Sequence, residues 1–193
     1  LNQGLIETVG KFENTSVAVL QNANFENRLI QSAVDRGEIN RDTLNSLSSK
    51  FMNASVDKQG KLTGALFNTS SKVKDAMREA EYTFRTKFMP SRSEESFKTY
   101  TDFLNTAYKQ YGDDITSAKA AGKIASVELM DISKIFYANL AERNLISKNS
   151  VQLGLNIEFL ATTLLGEKEK HLASSDSFQT IKLFEKLNTH IGD

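Results

Sequence analysis

The chain has 193 residues, of which 39% are hydrophobic and 25% are charged, proportions typical of a folded globular domain and not of a disordered chain. Its 24 basic and 24 acidic residues cancel, so it has no net charge to attract nucleic acid or an anionic membrane. The sequence contains neither cysteine nor an apolar run long enough for a membrane span, which excludes disulfides, cysteine-bound metals and a transmembrane helix within it.

Long helices are predicted for most of the chain, since it contains a single proline. Helical spacing of apolar residues predicts a first long helix from Asn2 to about Arg36. Gly37 is expected at its C′ position, where a left-handed backbone suits a residue without Cβ. Asn40 is then expected to cap a second helix whose apolar residues are Leu44, Leu47, Phe51 and Ala54.

The segment from Asp57 to Gly64 contains two glycines and little apolar content. It is either a turn or a bent point in one very long helix, and the sequence leaves both alternatives open. Helical spacing resumes at Leu62 and continues to Met89. Pro90 is expected to end this helix, because the residue before proline is pushed out of the α region.

The next helix is predicted to begin at Ser91, which with Glu94 matches the spacing of a capping box. Gly112 is expected to end it. One face of this helix is rich in aromatic residues, namely Phe97, Tyr100, Phe103, Leu104, Ala107, Tyr108 and Tyr111.

Three tyrosines on this face, Tyr100, Tyr108 and Tyr111, are the candidate contacts for a ligand or partner. A tyrosine ring combines an apolar body with a polar tip, which suits recognition. The alternative is that the same spacing reflects plain packing in the core.

A central core helix is predicted from Asp113 to Asn144, the longest run with unbroken helical spacing, with Asp113 or Asp114 as its cap. Leu129 and Phe136 are expected in the core. The apolar or small residues on one face are Ile115, Ala118, Gly122, Ala125, Leu129, Ile132, Phe136 and Leu140. The opposite, solvated face is expected to carry Lys119, Lys123, Glu128, Asp131 and Lys134.

The stretch after Val151 alternates apolar and polar residues, as a strand would, through Val151, Leu153, Leu155, Ile157 and Phe159. No second strand-like stretch is evident to pair with it, so a helix buried on several faces is predicted instead. A turn and cap at Ser174 to Asp176 is expected to precede a short final helix from Phe178 to Ile191.

These elements predict an all-α fold over a single domain, residues 1–193. The simplest packing is an elongated antiparallel bundle with four main helical lengths, some interrupted, and about six helices in all.

Chemical motifs are scarce. Glu167 and His171 have a spacing that suits metal ligands, but they lie in an alternating run of charges that is typical of a solvated helix end. Neither a zinc HExxH motif nor a glycine-rich phosphate loop occurs. The sequence therefore assigns no catalytic, cofactor-binding or metal-binding residue, and predicts that the protein is not an enzyme.

The predicted function is that of a non-catalytic binding module outside the cytoplasm, such as a sensor or receptor ligand-binding domain or a surface or secreted interaction protein. The start at Leu1 rather than Met favours a processed protein or an excised domain. The alternative is an intracellular adaptor or secreted effector that works through helix-face contacts. A metal-dependent enzyme at Glu167 to His171 is a third hypothesis. A protein partner or a small-molecule ligand is expected, nucleic acid is not, and a homodimer is left open.

Overall fold

The computed structural model describes residues 17–151 and 173–191. Within these ranges the chain is mostly helical, with a small two-stranded parallel sheet. The mainly helical prediction is confirmed, whereas the prediction that the fold is all-α is wrong. The main elements in chain order are β1 (Val17–Leu20), α1 (Ala23–Asp35), α2 (Arg41–Ser48), α3 (Ser71–Thr83), α4 (Glu94–Ala121), β2 (Ala125–Glu128), α5 (Leu129–Glu142) and α6 (Ala173–His190).

The sheet lies between two hydrophobic clusters. Val17 and Val19 of β1 pack against the larger cluster, while Ala18 and Leu20 belong to the smaller one. Both faces of the strand are therefore covered, and its sequence is a continuous apolar run, as is usual for parallel strands. Such a run is difficult to distinguish from part of a buried helix by periodicity, which is why both strands were predicted as helix.

Ile124, the residue directly before β2, pairs in parallel with Phe51 in the segment that follows α2. Met52 N donates to Ile124 O at 2.8 Å, and Ile124 N donates to Lys50 O at 2.8 Å. These bonds satisfy backbone groups that an isolated pair of strands would leave open.

Helices α3 and α4 pack against each other in antiparallel directions through aromatic rings. Phe84 lies against Tyr100 with ring centroids 4.8 Å apart, and Phe88 lies against Phe97 at 5.1 Å. The two phenylalanines belong to a π-helical turn, Phe84–Phe88, that continues α3. This turn leads into a short α-helical segment, Met89–Ser91.

The predicted first helix from Asn2 to Arg36 is confirmed over Ala23–Asp35 and wrong over Val17–Leu20, which form β1 ahead of the Asn22 cap. Residues 1–16 lie outside the described ranges. Gly37 follows α1 with φ +75°, and Asn40 caps α2, as predicted. Helix α2 ends at Ser48, before Phe51 and Ala54, which were expected within it.

The segment from Asp57 to Gly64 is a turn, which decides between the two alternatives. The Asp57 carboxylate accepts hydrogen bonds from Gln59 N and Lys61 N, both at 2.9 Å. Helix α3 begins only at Ser71, with Ser70 as its cap, and not at Leu62.

Pro90 does not end the preceding helix in the way predicted. Met89 keeps helical angles, φ −57° and ψ −44°, because Pro90 stands in the first turn of the short segment, where its missing N–H costs little. The chain leaves the helix at Arg92, whose φ is +55°. The cap of α4 is Ser93, which accepts from Ser96 N at 3.1 Å, so the predicted start at Ser91 with Glu94 is also wrong.

The predicted central helix is two helices separated by a strand. Helix α4 passes through Gly112, which was expected to stop it, and ends before Gly122 at φ +66°. Asp113 and Asp114 therefore lie inside α4 and cap nothing. Strand β2 and helix α5 follow.

Burial along this region is partly as predicted. Leu129 and Phe136 are core residues, with 2% and 7% of their surface exposed. Asp131, which was expected on a solvated face, is buried with 8% exposed.

At the carboxyl end of the chain, α6 contributes Leu183 and Leu187 to the larger cluster. Ser174 to Asp176 lie within this helix, so the turn predicted there is wrong. The helix predicted after Val151 falls on residues 152–172, outside the described ranges.

None of the described helices is long and apolar enough to cross a membrane.

Candidate ligand-binding cleft

The two parallel strands end at the same edge of the sheet, and a helix begins directly after each. Asn22 caps α1 two residues after β1 ends, and Glu128, the last residue of β2, is the cap position of α5. The first N–H groups of a helix have no partner inside it and carry a partial positive charge. This edge of the sheet is therefore suited to hold acidic side chains.

Two glutamates accept hydrogen bonds from backbone N–H groups between the end of β1 and the start of α1. Ala23 N donates to Glu128 Oε1 at 2.9 Å. Gln21 N and Asn22 N donate to the two carboxylate oxygens of Glu26, at 3.1 Å and 3.3 Å. Both carboxylates thus fix the end of β1 and the start of α1 in place.

The third acid, Asp131, lies in the first turn of α5. The Tyr111 hydroxyl, from α4, donates to Asp131 Oδ2 at 2.6 Å. Glu128 N in turn donates to the Tyr111 oxygen at 3.4 Å. Among the described residues, no group donates to the second oxygen of Asp131.

Burial shifts the proton equilibria of this cluster. It raises the pKa of Asp131 to about 7, and the nearby charge of Glu128 adds to the increase, while Tyr111 and Lys134 act in the opposite direction. Burial also raises the pKa of Glu26 to about 7, against the backbone N–H groups that favour its ionised form. Both acids therefore change protonation near neutral pH.

A cavity of about 500 Å³ opens at this edge of the sheet, and we call it the polar cleft. It lies between α3 and the starts of α1 and α5. Its lining combines both signs of charge with amides and thioethers, and consists of Lys74, Arg78, Lys134, Glu81, Glu128, Asp131, Asn22, Asn24, Thr69, Met77 and Met130.

The three cations of the polar cleft differ in what they contact. The ammonium of Lys74 donates to the side-chain oxygen of Asn68. Arg78 forms an exposed ion pair with Asp75 at 3.7 Å. Lys134 is partly buried and forms neither an ion pair nor a side-chain hydrogen bond with any described residue. Its ammonium is therefore the cation best placed to meet an anionic group in the cleft.

A second cavity, of about 310 Å³, adjoins the polar cleft, and we call it the apolar lobe. The two cavities share Met77, Glu81 and Lys134. The rest of its lining comes mainly from α3 and α4 and consists of Ala80, Phe84, Arg85, Tyr100, Leu104 and Val151.

Comparison with known proteins finds no matching family model, no matching curated protein and no matching solved structure.

The structure separates the three tyrosines singled out in the sequence. Tyr100 is 6% exposed and lines the apolar lobe, and Tyr111 is 2% exposed and holds Asp131. Tyr108 is partly exposed and donates to Asn188 Oδ1 at 2.6 Å, away from both cavities. Ligand contact by any of the three stays a prediction.

The sequence did not single out Asp131 or Lys134 as site residues. Both were placed on the solvated face of a continuous helix. One signal was available, because Asp131 interrupts the apolar run formed by Leu129, Met130 and Ile132. An acid flanked closely by core residues is often buried and paired.

Within the described ranges, no group of three or more His, Asp or Glu side chains is arranged to hold a metal ion. The predicted metal-ligand pair, Glu167 and His171, lies outside those ranges.

Proposed function

We propose that this protein is a non-catalytic binding module whose polar cleft takes a small zwitterion with the ammonium and carboxylate groups of an α-amino acid. The ammonium binds Asp131 and the carboxylate binds Lys134. The observation that carries this proposal is that a buried carboxylate with one unoccupied oxygen and an unpaired ammonium lie one helical turn apart on α5 and line the same cavity.

Electrostatics supports this pairing. An ionised carboxylate removed from water is costly unless it is paired, and a ligand ammonium supplies that partner. Hydrogen bonds between charged groups are shorter and roughly twice as strong as those between neutral groups. A zwitterion satisfies Asp131 and Lys134 together without adding net charge to the cleft.

The hydrogen bonds of Glu26 and Glu128 favour a binding role over a catalytic one. General acid–base chemistry usually needs two groups free to exchange protons with the substrate. Glu26 accepts backbone hydrogen bonds on both oxygens, and Glu128 is occupied by Ala23 N. Glu128 and Asp131 each keep one oxygen without a donor from the described residues, but Glu128 is only partly buried whereas Asp131 is buried.

The wider setting is proposed from the sequence. We propose that the module works outside the cytoplasm as the ligand-binding part of a sensor or receptor, and that its helices form an elongated antiparallel bundle. The antiparallel packing of α3 against α4 supports the second proposal.

The test is a titration followed by NMR, which detects weak binding through amide chemical shifts. L-Alanine should produce saturable shifts at Met130 and Asp131, whereas L-alaninamide, which lacks the carboxylate, and propionate, which lacks the ammonium, should bind far more weakly. Asp131→Asn and Lys134→Met should each weaken L-alanine binding by about 10- to 100-fold, as expected for loss of one charge-assisted contact.

Matched controls use exposed residues of the same types. Asp113→Asn and Lys123→Met lie outside the cleft and should leave the affinity unchanged. The absence of saturable shifts with every zwitterion from glycine to L-phenylalanine would contradict the proposal, as would equal binding of L-alaninamide and L-alanine.

A further inference from the structure

We propose that the ligand of the polar cleft is an α-amino acid with an apolar side chain, and that this side chain occupies the apolar lobe. The inference rests on the proposed function and adds the class of side chain to it. It is carried by the position of the lobe, which opens beside the residue that binds the ligand carboxylate.

The buried part of the lobe's wall is hydrophobic, while Glu81, Arg85 and Lys134 form its charged rim. Ala80 and Leu104 are 1% and 0% exposed, and Phe84 and Tyr100 contribute aromatic rings with centroids 4.8 Å apart. An apolar cavity of roughly 150 Å³ is enough to hold a benzene molecule. The volume of about 310 Å³ therefore accepts an isobutyl, thioether or benzyl group.

The two cavities are arranged for one ligand. Lys134, Met77 and Glu81 line both, so an amino acid whose carboxylate meets Lys134 has its α-carbon at the junction of the cavities. From there its side chain has an apolar space to enter, while its ammonium faces Asp131 in the polar cleft.

The charges at the junction also select against other side chains. The exposed carboxylate of Glu81 pairs with the exposed Arg85 at 2.7 Å, and the third charge of the lobe, Lys134, is occupied by the ligand carboxylate. A charged ligand side chain would enter a space walled by Ala80, Phe84 and Leu104 without a free partner. Desolvation without pairing disfavours such a ligand.

The experiment measures affinities of the full chain for glycine, L-alanine, L-leucine, L-methionine and L-phenylalanine by calorimetry. L-Leucine should bind roughly 10- to 150-fold more tightly than glycine, which is the gain expected from burying that side chain. L-Aspartate and L-lysine should bind no more tightly than glycine.

Two variants change the lobe in opposite directions. Ala80→Leu places extra side-chain volume in it and should abolish the advantage of L-leucine over glycine. Phe84→Leu enlarges it and should shift the preference toward L-phenylalanine. Because Ala80 is buried, a leucine there could disturb the fold, so circular dichroism melting checks each variant. Phe84→Leu keeps the proposal testable if Ala80→Leu does not fold.

The outcomes separate the inference from the function on which it rests. Glycine and L-leucine binding with equal affinity would overturn the inference and leave the zwitterion site intact. No binding of any amino acid would overturn both. Tighter L-leucine binding that persists unchanged in both lobe variants would place the side chain elsewhere and also overturn the inference.

Discussion

Two buried acids, Glu26 and Asp131, are expected to make the stability of the protein depend on pH. Their pKa values rise from 4.5 and 3.8 to about 7 on folding. The folded state therefore binds more protons between these values, so the stability contributed by the neutral acids is fully present below about pH 4 and is lost as the pH rises through about 7. In that window the free energy of unfolding should fall as the pH rises, and both acids contribute to the decrease.

Urea unfolding at about pH 5 and about pH 8 measures this dependence. Asp131→Asn combined with Glu26→Gln should reduce it strongly, while Asp113→Asn, on the exposed face of α4, should retain it. A free energy of unfolding that increases over this interval in the wild-type protein would contradict the burial of the two acids.

Core and surface residues near β2 should differ sharply in their effect on stability. Leu129→Ala and Phe136→Ala should each cost about 2 to 5 kcal/mol, because they remove buried carbon and leave a cavity. Lys123→Ala should change stability by about 0.5 kcal/mol or less, since its side chain is exposed. Denaturant unfolding of the three variants makes the comparison, and a loss for Lys123→Ala equal to that for Phe136→Ala would contradict the described packing.

At the scale of elements, Gly112 and Gly122 exchange the roles that the sequence predicted for them. Gly112 lies within α4 with nothing near its missing Cβ, and Gly122 ends α4 at φ +66°. Gly112→Ala should therefore stabilise the protein by about 0.5 to 1 kcal/mol, through better helix propensity. Gly122→Ala should destabilise it by roughly 1 to 2 kcal/mol, since alanine is strained in the left-handed region.

Thermal unfolding of the two glycine variants gives the sign of each change. The continuous central helix predicted from the sequence would instead make Gly122→Ala stabilising. A rise in melting temperature for Gly122→Ala would therefore contradict the separation of α4 from β2.

Features that depend on a few neighbouring residues, such as helix caps, were predicted from the sequence more accurately than the type of each element. Gly37 and Asn40 act by local geometry, a left-handed backbone and a side-chain cap, and both were found. The strands β1 and β2 depend on each other across more than a hundred residues, and each alone is a short apolar run. Ala125 and Leu129 are four residues apart, which fits a helix. Residues four apart also lie on one face of a strand, so the spacing did not reveal that β2 begins at Ala125.

The candidate site was less predictable than the fold because it is built from distant segments. Asp131 is buried where Tyr111 of α4 donates to it, close to Glu128 at the end of β2. Periodicity within α5 contains no information on those neighbours. The aromatic face of α4 did lead to Tyr100 and Tyr111, although the structure gives Tyr111 the role of holding Asp131 and places Tyr100 in the wall of the lobe.

At the scale of the whole molecule, ligand binding should be coupled to proton release. Three groups act directly on Asp131, namely Tyr111 from α4, Glu128 at the end of β2 and Lys134 on α5 itself. Three charged residues of α3 line the same cavity, namely Lys74, Arg78 and Glu81. A ligand ammonium favours the ionised form of Asp131, so binding below its pKa of about 7 must displace a proton. Affinity should then increase with pH, by at most about tenfold per unit, and level off above about pH 8.

The most direct test of the account is calorimetric titration of L-leucine at about pH 6 in buffers of different ionisation enthalpy, which counts the protons exchanged on binding. The wild-type protein and Asp113→Asn should release protons on binding, whereas Asp131→Asn should release none and bind weakly. Equal affinity and equal proton release in Asp131→Asn and the wild-type protein would show that the ammonium does not meet Asp131 and would contradict the proposed zwitterion site.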